Sequence, residues 1–228
     1  TMEKLGSYCL TEPGSGSDAA ALRTTARRDG DHYVVNGTKQ FTTGGGVNDL
    51  YVTMVRTGGE GPRGISCLVI DKDMPGVGFG ANERKLGWNA SPTAQVVLDN
   101  VRVPVANRVG EEGEGFRFAM MGLDGGRVNI GACSLGGAQR CLDEAVGYAR
   151  ERSQFGQPLA GFQNVQFELA DMATDLAAAR AMIYLAADKV TAGAPDKTRF
   201  AAMAKKLASE SASSIVDRAL QIFGGYGY

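Results

Sequence analysis

Up to about Gly110 the apolar residues come in short runs rich in β-branched side chains. Tyr33-Val34-Val35, Leu50–Val55, Ile65–Ile70 and Gln95–Leu98 each have the length and composition of a strand. Turn formers separate them at Asn36-Gly37, Gly58–Pro62, Met74-Pro75-Gly76 and Asp99-Asn100. No helical pattern lies between the runs, so the order predicts an antiparallel sandwich or barrel rather than parallel βαβ units. After Gly113 the period changes. Val165, Leu169, Met172, Leu176 and Ile183 fall on one helical face. Long helices are predicted over Phe116–Arg152, Phe162–Thr191 and Asp196–Phe223. Gly156-Gln157-Pro158 and Gly193-Ala194-Pro195 supply helix-stop chemistry between them. Short links between long helices imply an antiparallel bundle. The expected fold class is α+β and multi-domain: an antiparallel β-sandwich or barrel domain over residues 1–112, then a helical bundle over 113–228.

Hydrophobic residues make up 43% of the 228, enough for a sizeable core, and the formal net charge is −1. That balance gives no strong field for nucleic acid or a membrane surface. No apolar run has membrane-spanning length. Cys9, Cys67, Cys133 and Cys141 form no Cys-x-x-Cys and read as reduced, partly buried thiols of an intracellular protein. His32 is the only histidine, which argues against a zinc site. It follows the hairpin signal Asp29-Gly30-Asp31 and reads as an exposed strand residue. Thr1-Met2-Glu3-Lys4 runs straight into strand-like sequence. The alanine-rich faces of three helices call for a further partner. The chain therefore reads as the middle piece of a longer protein.

The densest chemistry lies in Tyr8–Asp18, where a strand end, a turn former, two glycines and several hydroxyls or carboxylates are packed into eleven residues. Such a loop exposes backbone N–H groups. Gly14-Ser15-Gly16-Ser17-Asp18-Ala19 fits G-x-G-x-x-A, but that fingerprint needs a long helix directly after the glycines. Thr24-Thr25 and the His32–Val35 strand follow too soon. An ordinary surface turn stays open as a reading. Asp124 and Arg127 share a helix face and read as a surface ion pair or as part of a site. Gly125-Gly126 between them is unusual in a helix, where glycine costs about 1 kcal/mol relative to alanine. A ligand packed against that turn would account for it. Phe41 reads as an inward strand residue or as an aromatic that can cover the face of a flat ligand. Arg152 and Phe155 read as a helix-end cation and a core ring, or as a pyrophosphate and adenine pair. Gly44-Gly45-Gly46 turns the chain or lets a ligand approach, and Gly224-Gly225 reads as a helix stop or as part of the same site.

Five stretches in order resemble the acyl-CoA dehydrogenase family: Tyr8–Asp18, Lys39–Gly44, Gly122–Arg127, Arg152–Gly156 and Gln221–Gly225. The resemblance covers essentially the whole chain and implies a flavoprotein oxidoreductase with FAD. It places Tyr8, Leu10 and Thr11 at the flavin, with the Thr11 hydroxyl near N5. It places Phe41, often Trp in the family, over the ring, and Thr43 at the ribityl or phosphate region. Ser17, Asp124, Gly125 and Arg127 fall to the acyl-CoA substrate. Arg152, Phe155, Gln163, Gln221, Gly224 and Gly225 fall to the FAD of a neighbouring subunit, which implies a homodimer or homotetramer.

The implied reaction has a glutamate take the α proton while the β hydride passes to flavin. Electrons then leave to an electron-transfer flavoprotein. In one branch of the family that glutamate matches Gly126, which cannot take a proton. In most branches it follows the Gly-Gly-Tyr-Gly-Tyr segment, so it is expected beyond Tyr228. No catalytic residue is assigned within the chain, and this piece alone is expected to be inactive. Val103–Arg108 and Ala170–Thr174 further resemble the members acting on a short branched acyl-CoA, with isobutyryl-CoA favoured. A short-chain or 2-methyl-branched substrate, or a non-catalytic flavin- or acyl-CoA-binding fragment, are the alternatives. No nucleic acid, membrane or metal partner is implied. The compartment is bacterial cytosol or mitochondrial matrix.

Overall fold

A computed structural model describes residues 3–228. Thr1 and Met2, the start of the segment read as running into strand-like sequence, lie outside the described residues. The chain forms two compact units, one ending at Met120 and the other running Met121–Tyr228. The division falls inside the first long helix, past the change of sequence character at residues 112–113.

The first unit carries β1 (Gly6–Cys9), β2 (Thr25–Asp29), β3 (His32–Thr43), β4 (Leu50–Arg56), β5 (Ile65–Asp71), β6 (Val77–Phe79), β7 (Thr93–Pro104) and β8 (Arg108–Val109). They join in one sheet in the order β6-β7-β3-β2-β4-β5-β8, with β1 paired to β4. Most pairings are antiparallel; β1 runs parallel to β4, and Thr25 pairs in parallel with Arg56. Alternation sends Tyr33, Val35, Tyr51, Val55, Leu68, Val96 and Val101 into one core.

Two expected turns are not turns. Asn36-Gly37 lies within β3 and Asp99-Asn100 within β7. The register slips between Val35 and Gly37, and Asn100 takes φ 51°. The Asn100 N–H donates to Asn36 Oδ1 at 2.8 Å, and Asn36 Nδ2 donates to Asn100 Oδ1 at 3.2 Å. Residues that favour turns here serve a bulge, which needs the same backbone freedom. His32 is half-buried at the start of β3, beside Asp31, rather than exposed.

The second unit is helical. α1 (Gly115–Glu151) begins in the first unit and runs through the second. A short hairpin of β9 (Ser153–Gln154) and β10 (Gln157–Pro158) precedes α2 (Gln163–Thr191) and α3 (Lys197–Ile222). The bounds lie within a residue of those the periodicity predicts. Met172, Leu176 and Ile183 are buried with Leu135, Ala138 and Leu142 of α1. Ala204, Ala208, Ala212, Ile215 and Ala219 of α3 complete that core. Small residues at the seam bring the helices close: a Cβ at Gly131 would stand 2.5 Å from Ile183 Cδ1. Among the described residues no helix is long and apolar enough to cross a membrane.

Candidate functional site

In the first unit, β1 and the turn after it lie against the end of β3. Ser7 Oγ donates to Thr43 O at 2.7 Å, Thr42 Oγ1 to Cys9 Sγ at 3.7 Å, and Gln40 N–H to Thr11 O at 2.8 Å. These three bonds bring Tyr8, Thr11, Phe41 and Thr43 together. Tyr8 is 40% exposed, and its hydroxyl donates to Ala119 O at 3.2 Å. Burial, with Cys67 nearby, pushes its phenol up to about 12. Leu10 buries its side chain with Leu22, Met54 and Ile65, so only its backbone can face a ligand. Thr11 is half-buried, and its hydroxyl makes no hydrogen bond within the chain among the described residues.

Phe41 decides between its two readings. Strand alternation from Tyr33, Val35 and Lys39 would turn it inward. A second register slip, between Lys39 and Thr42, moves Thr42 into the core instead. Phe41 takes φ 55° and is left 62% exposed. A left-handed backbone on a bulky residue costs on the order of 1–3 kcal/mol, and a largely exposed ring forgoes much of the roughly 1.5–3 kcal/mol that burial would give. Both make sense when something flat covers the ring.

Ser17 is exposed in the loop after the Glu12–Ser15 turn, where Glu12 and Ser15 exchange backbone bonds of 2.9 and 3.1 Å. Only a three-residue 3-10 turn, Ala19–Ala21, follows. The dinucleotide fingerprint therefore has no helix to serve. A cavity of about 540 Å³ opens beside this loop, lined by Asp18, Leu22, Arg23 and Gly61 among others. Gly44-Gly45-Gly46 is a chain reversal: Gly44 takes φ 76°, and the Val47 and Asn48 amides donate to its carbonyl.

In the second unit a separate cavity of about 450 Å³ gathers Arg152, Gly224 and Gly225 with Tyr148, Phe223 and Tyr226. Arg152 stands 5.8 Å over the Tyr226 ring. Tyr148 and Phe223 stack at 4.4 Å. Gly224, at φ 58°, ends α3 in the left-handed conformation that glycine permits. Phe155, expected either in a core or at an adenine face, is 96% exposed at φ 53°. With Phe41 and Trp88, the latter at φ 57° and 64% exposed, it is one of three aromatic rings held out on left-handed backbone among the described residues. Gln163 and Gln221 are exposed nearby in sequence, but neither they nor Phe155 line the cavity.

Residues 7–101 match the family described as "Acyl-CoA dehydrogenase, middle domain", and residues 113–228 match "Acyl-CoA dehydrogenase, C-terminal domain". The chain belongs to the acyl-CoA dehydrogenase family. It is 56% identical, over its whole length, to the mitochondrial isobutyryl-CoA dehydrogenase of Dictyostelium discoideum, and covers 55% of that protein. The butyryl-CoA dehydrogenase structure of Megasphaera elsdenii superposes with a TM-score of 0.96 at 44% identity, over 99% of this chain and 59% of that one. A chain in the structure described as the electron transferring flavoprotein of Acidaminococcus fermentans gives 0.96 at 46% identity, with the same coverage. The chain thus spans a little over half the length of the relatives it matches.

Acyl-CoA dehydrogenases bind FAD, and both units fit that group. The first presents an exposed ring, a free hydroxyl and an open turn without added charge. The second presents a guanidinium and exposed aromatics of the kind that suit a pyrophosphate and a purine. Asp124 is 5% exposed: Arg127 Nη1 lies 3.1 Å from its Oδ1, and Thr198 Oγ1 donates to Oδ2 at 2.8 Å. Asp124 and Arg127 do pair, but burial of the carboxylate corrects the expectation of a surface ion pair. Gly125 and Gly126 face open space, with no atom within 4 Å of an added Cβ.

Sequence reasoning missed Lys39 and Glu12. Lys39 Nζ lies 2.8 Å from Glu12 Oε1, both side chains are buried, and Nζ also donates to Leu10 O at 3.2 Å. Glu12 further accepts the N–H groups of Arg23 at 2.6 Å and Thr24 at 2.9 Å. Burial alone would raise the Glu12 carboxyl, but Lys39 and these donors hold it below its ordinary value. A lysine on the inward phase of Tyr33 and Val35 is the signal that could have found the pair.

Proposed function

We propose that this chain forms the flavin- and thioester-binding part of an FAD-dependent dehydrogenase of short branched-chain acyl-CoA. Isobutyryl-CoA is the favoured substrate and an electron-transfer flavoprotein the electron acceptor. The observation that carries the reading is Phe41, held out on left-handed backbone beside the Thr11 turn. Bound FAD supplies the hydride acceptor for the thioester β carbon. Tyr8, the Leu10 backbone and Thr11 bind and orient the flavin edge, Phe41 covers a face, and Thr43 bonds the ribityl or phosphate region. Neutral donors along that edge favour extra electron density on it. Arg152, Phe155, Gln163, Gln221, Gly224 and Gly225 serve the adenylate half for a neighbouring subunit, so the working form is a homodimer or homotetramer.

Ser17, Asp124, Gly125 and Arg127 serve the acyl-CoA. The open side of Gly125-Gly126 supports a branch at the α carbon, as does the 56% identity to a relative named for isobutyryl-CoA. Gly126 stands where one branch of the family carries its base by resemblance, so we assign the α-proton base to no residue among 1–228. The second reading is a non-catalytic flavin- or acyl-CoA-binding piece. The compartment is bacterial cytosol or mitochondrial matrix.

Anaerobic addition of isobutyryl-CoA, butyryl-CoA or 2-methylbutyryl-CoA to the FAD-loaded full-length protein tests both readings. Bleaching of the flavin band with the best kcat/KM on isobutyryl-CoA is expected. A preference for the straight chain defeats the branched assignment, and a protein that stays yellow with every thioester defeats the dehydrogenase.

A further inference from the structure

We propose that Lys39 is a positioning residue for flavin reduction: from behind the Leu10-Thr11-Glu12 turn it sets where Thr11 stands against the flavin edge. This role rests on the dehydrogenase reading above. Lys39 touches neither flavin nor substrate in that reading; it acts through the turn.

Lys39 Nζ grips the residue on each side of Thr11, the Leu10 carbonyl at 3.2 Å and the Glu12 carboxylate at 2.8 Å. Thr11 itself is held by the Gln40 N–H on its carbonyl at 2.8 Å, and the Glu12 carbonyl accepts Ser15 N–H at 3.1 Å. Three successive carbonyls are thus turned toward protein donors. The Thr11 hydroxyl, with no hydrogen-bond partner among the described residues, is left for the other side. The carboxylate end of the clamp is fixed in turn by Arg23 and Thr24 N–H groups at 2.6 and 2.9 Å.

Stability alone does not call for this arrangement. A buried ion pair is often matched or bettered by an apolar pair of similar volume. An apolar pair, however, has no donor for the Leu10 carbonyl. What the lysine adds is a fixed distance between β3 and the turn. Errors of about 1 Å in the placement of reacting groups can cost on the order of 100-fold in rate.

The test uses the full-length FAD-loaded protein, with Lys39→Met/Glu12→Gln and Lys39→Arg. The double variant removes both charges while the Gln amide oxygen still accepts a backbone N–H. Lys39→Arg keeps the charge and changes the donor's shape, and it serves if the double variant does not fold. Four readouts are needed: the melting temperature, the flavin absorption band, the isobutyryl-CoA Kd, and the single-turnover rate of flavin reduction. A folded variant with a displaced flavin band and about 10- to 100-fold slower reduction is expected, its thioester Kd changed by less than about threefold. A purely structural role would move the melting temperature and leave the band and the rate alone, and that result overturns the proposal. If the unaltered protein takes up no FAD, the dehydrogenase reading fails and this role goes with it. If the unaltered protein is bleached by isobutyryl-CoA and the variants match it, only the role of Lys39 fails.

Discussion

Thr198 on α3 donates its hydroxyl hydrogen to the Asp124 carboxylate on α1, 2.8 Å away, while Arg127 occupies the other carboxylate oxygen at 3.1 Å. Asp124 is therefore committed on both oxygens, and in the proposed site it would influence a thioester mainly through where it holds Arg127. Thr198→Val removes one neutral donor from a buried carboxylate and should cost about 1–2 kcal/mol of stability without weakening acyl-CoA binding. Asp124→Ala should cost about 2–3 kcal/mol and also weaken acyl-CoA binding, because Arg127 loses its anchor. Urea denaturation with thioester titration separates the two. Equal losses of affinity in both variants would show that the helix tie, not Arg127, is what binding senses.

Acid should find the Lys39–Glu12 pair. The Glu12 carboxyl lies below its ordinary value of 4.5 in the folded chain. A depressed carboxyl adds stability that is fully present above the unfolded value and is lost as pH falls through the folded one. Stability should thus decline below about pH 4.5. Glu12→Gln should be less stable at pH 7, since it leaves Lys39 buried without its counter-ion, and should decline less steeply in acid. Asp71 and Asp196, also held low by backbone and lysine donors, keep some slope in both proteins. Parallel stability curves for the two proteins between pH 7 and 3 would remove Glu12 from the account.

The helices were legible because their signal is local: Met172, Leu176 and Ile183 repeat on one face, and Gly193 marks a stop. The strands were legible from their β-branched runs. What the sequence hid depends on partners far away along the chain. Asn36 reads as a turn because its bulge partner, Asn100, is 64 residues distant, and turn and bulge draw on the same residue types. Phe41 could not be given a direction because the slip between Lys39 and Thr42 is set by pairing with β7. Lys39 and Glu12 are 27 residues apart, and a lysine in a strand looks like an edge or surface residue until its partner is placed. The candidate ligand residues were found by family resemblance; physics alone left each with a bland alternative. For Phe41 and Phe155 the structure excludes the inward or core position, since both rings are exposed.

The cysteines should react in two classes. Cys133 is exposed and Cys141 half-buried, whereas burial pushes the Cys9 and Cys67 thiols up to about 11. The thiolate is the reactive species. At pH 8 an alkylating reagent should modify Cys133 first and Cys141 more slowly. Cys9 and Cys67 should react only in denaturant, as read by peptide mass spectrometry. Early labelling of Cys9 would mean that β1 opens from β3, which the bonds at Ser7, Cys9 and Thr11 argue against.

Three glycines on α1 make opposed predictions. An added Cβ at Gly131 would meet Ile183 Cδ1 at 2.5 Å and Ala208 Cβ at 3.5 Å. Gly131→Val should therefore cost about 1–3 kcal/mol by overpacking, and Gly131→Ala less, since the tip of Ile183 can turn aside. At Gly125 and Gly126 the same Cβ meets nothing within 4 Å. Alanine there should raise helix stability by up to about 1 kcal/mol. If the open side is reserved for a thioester, the gain comes with a loss: Gly126→Ala should melt higher yet bind isobutyryl-CoA about tenfold more weakly. Straight-chain butyryl-CoA should suffer less, because it carries no branch toward the new methyl. A variant that melts higher and binds both thioesters unchanged would leave the double glycine without a role in the pocket.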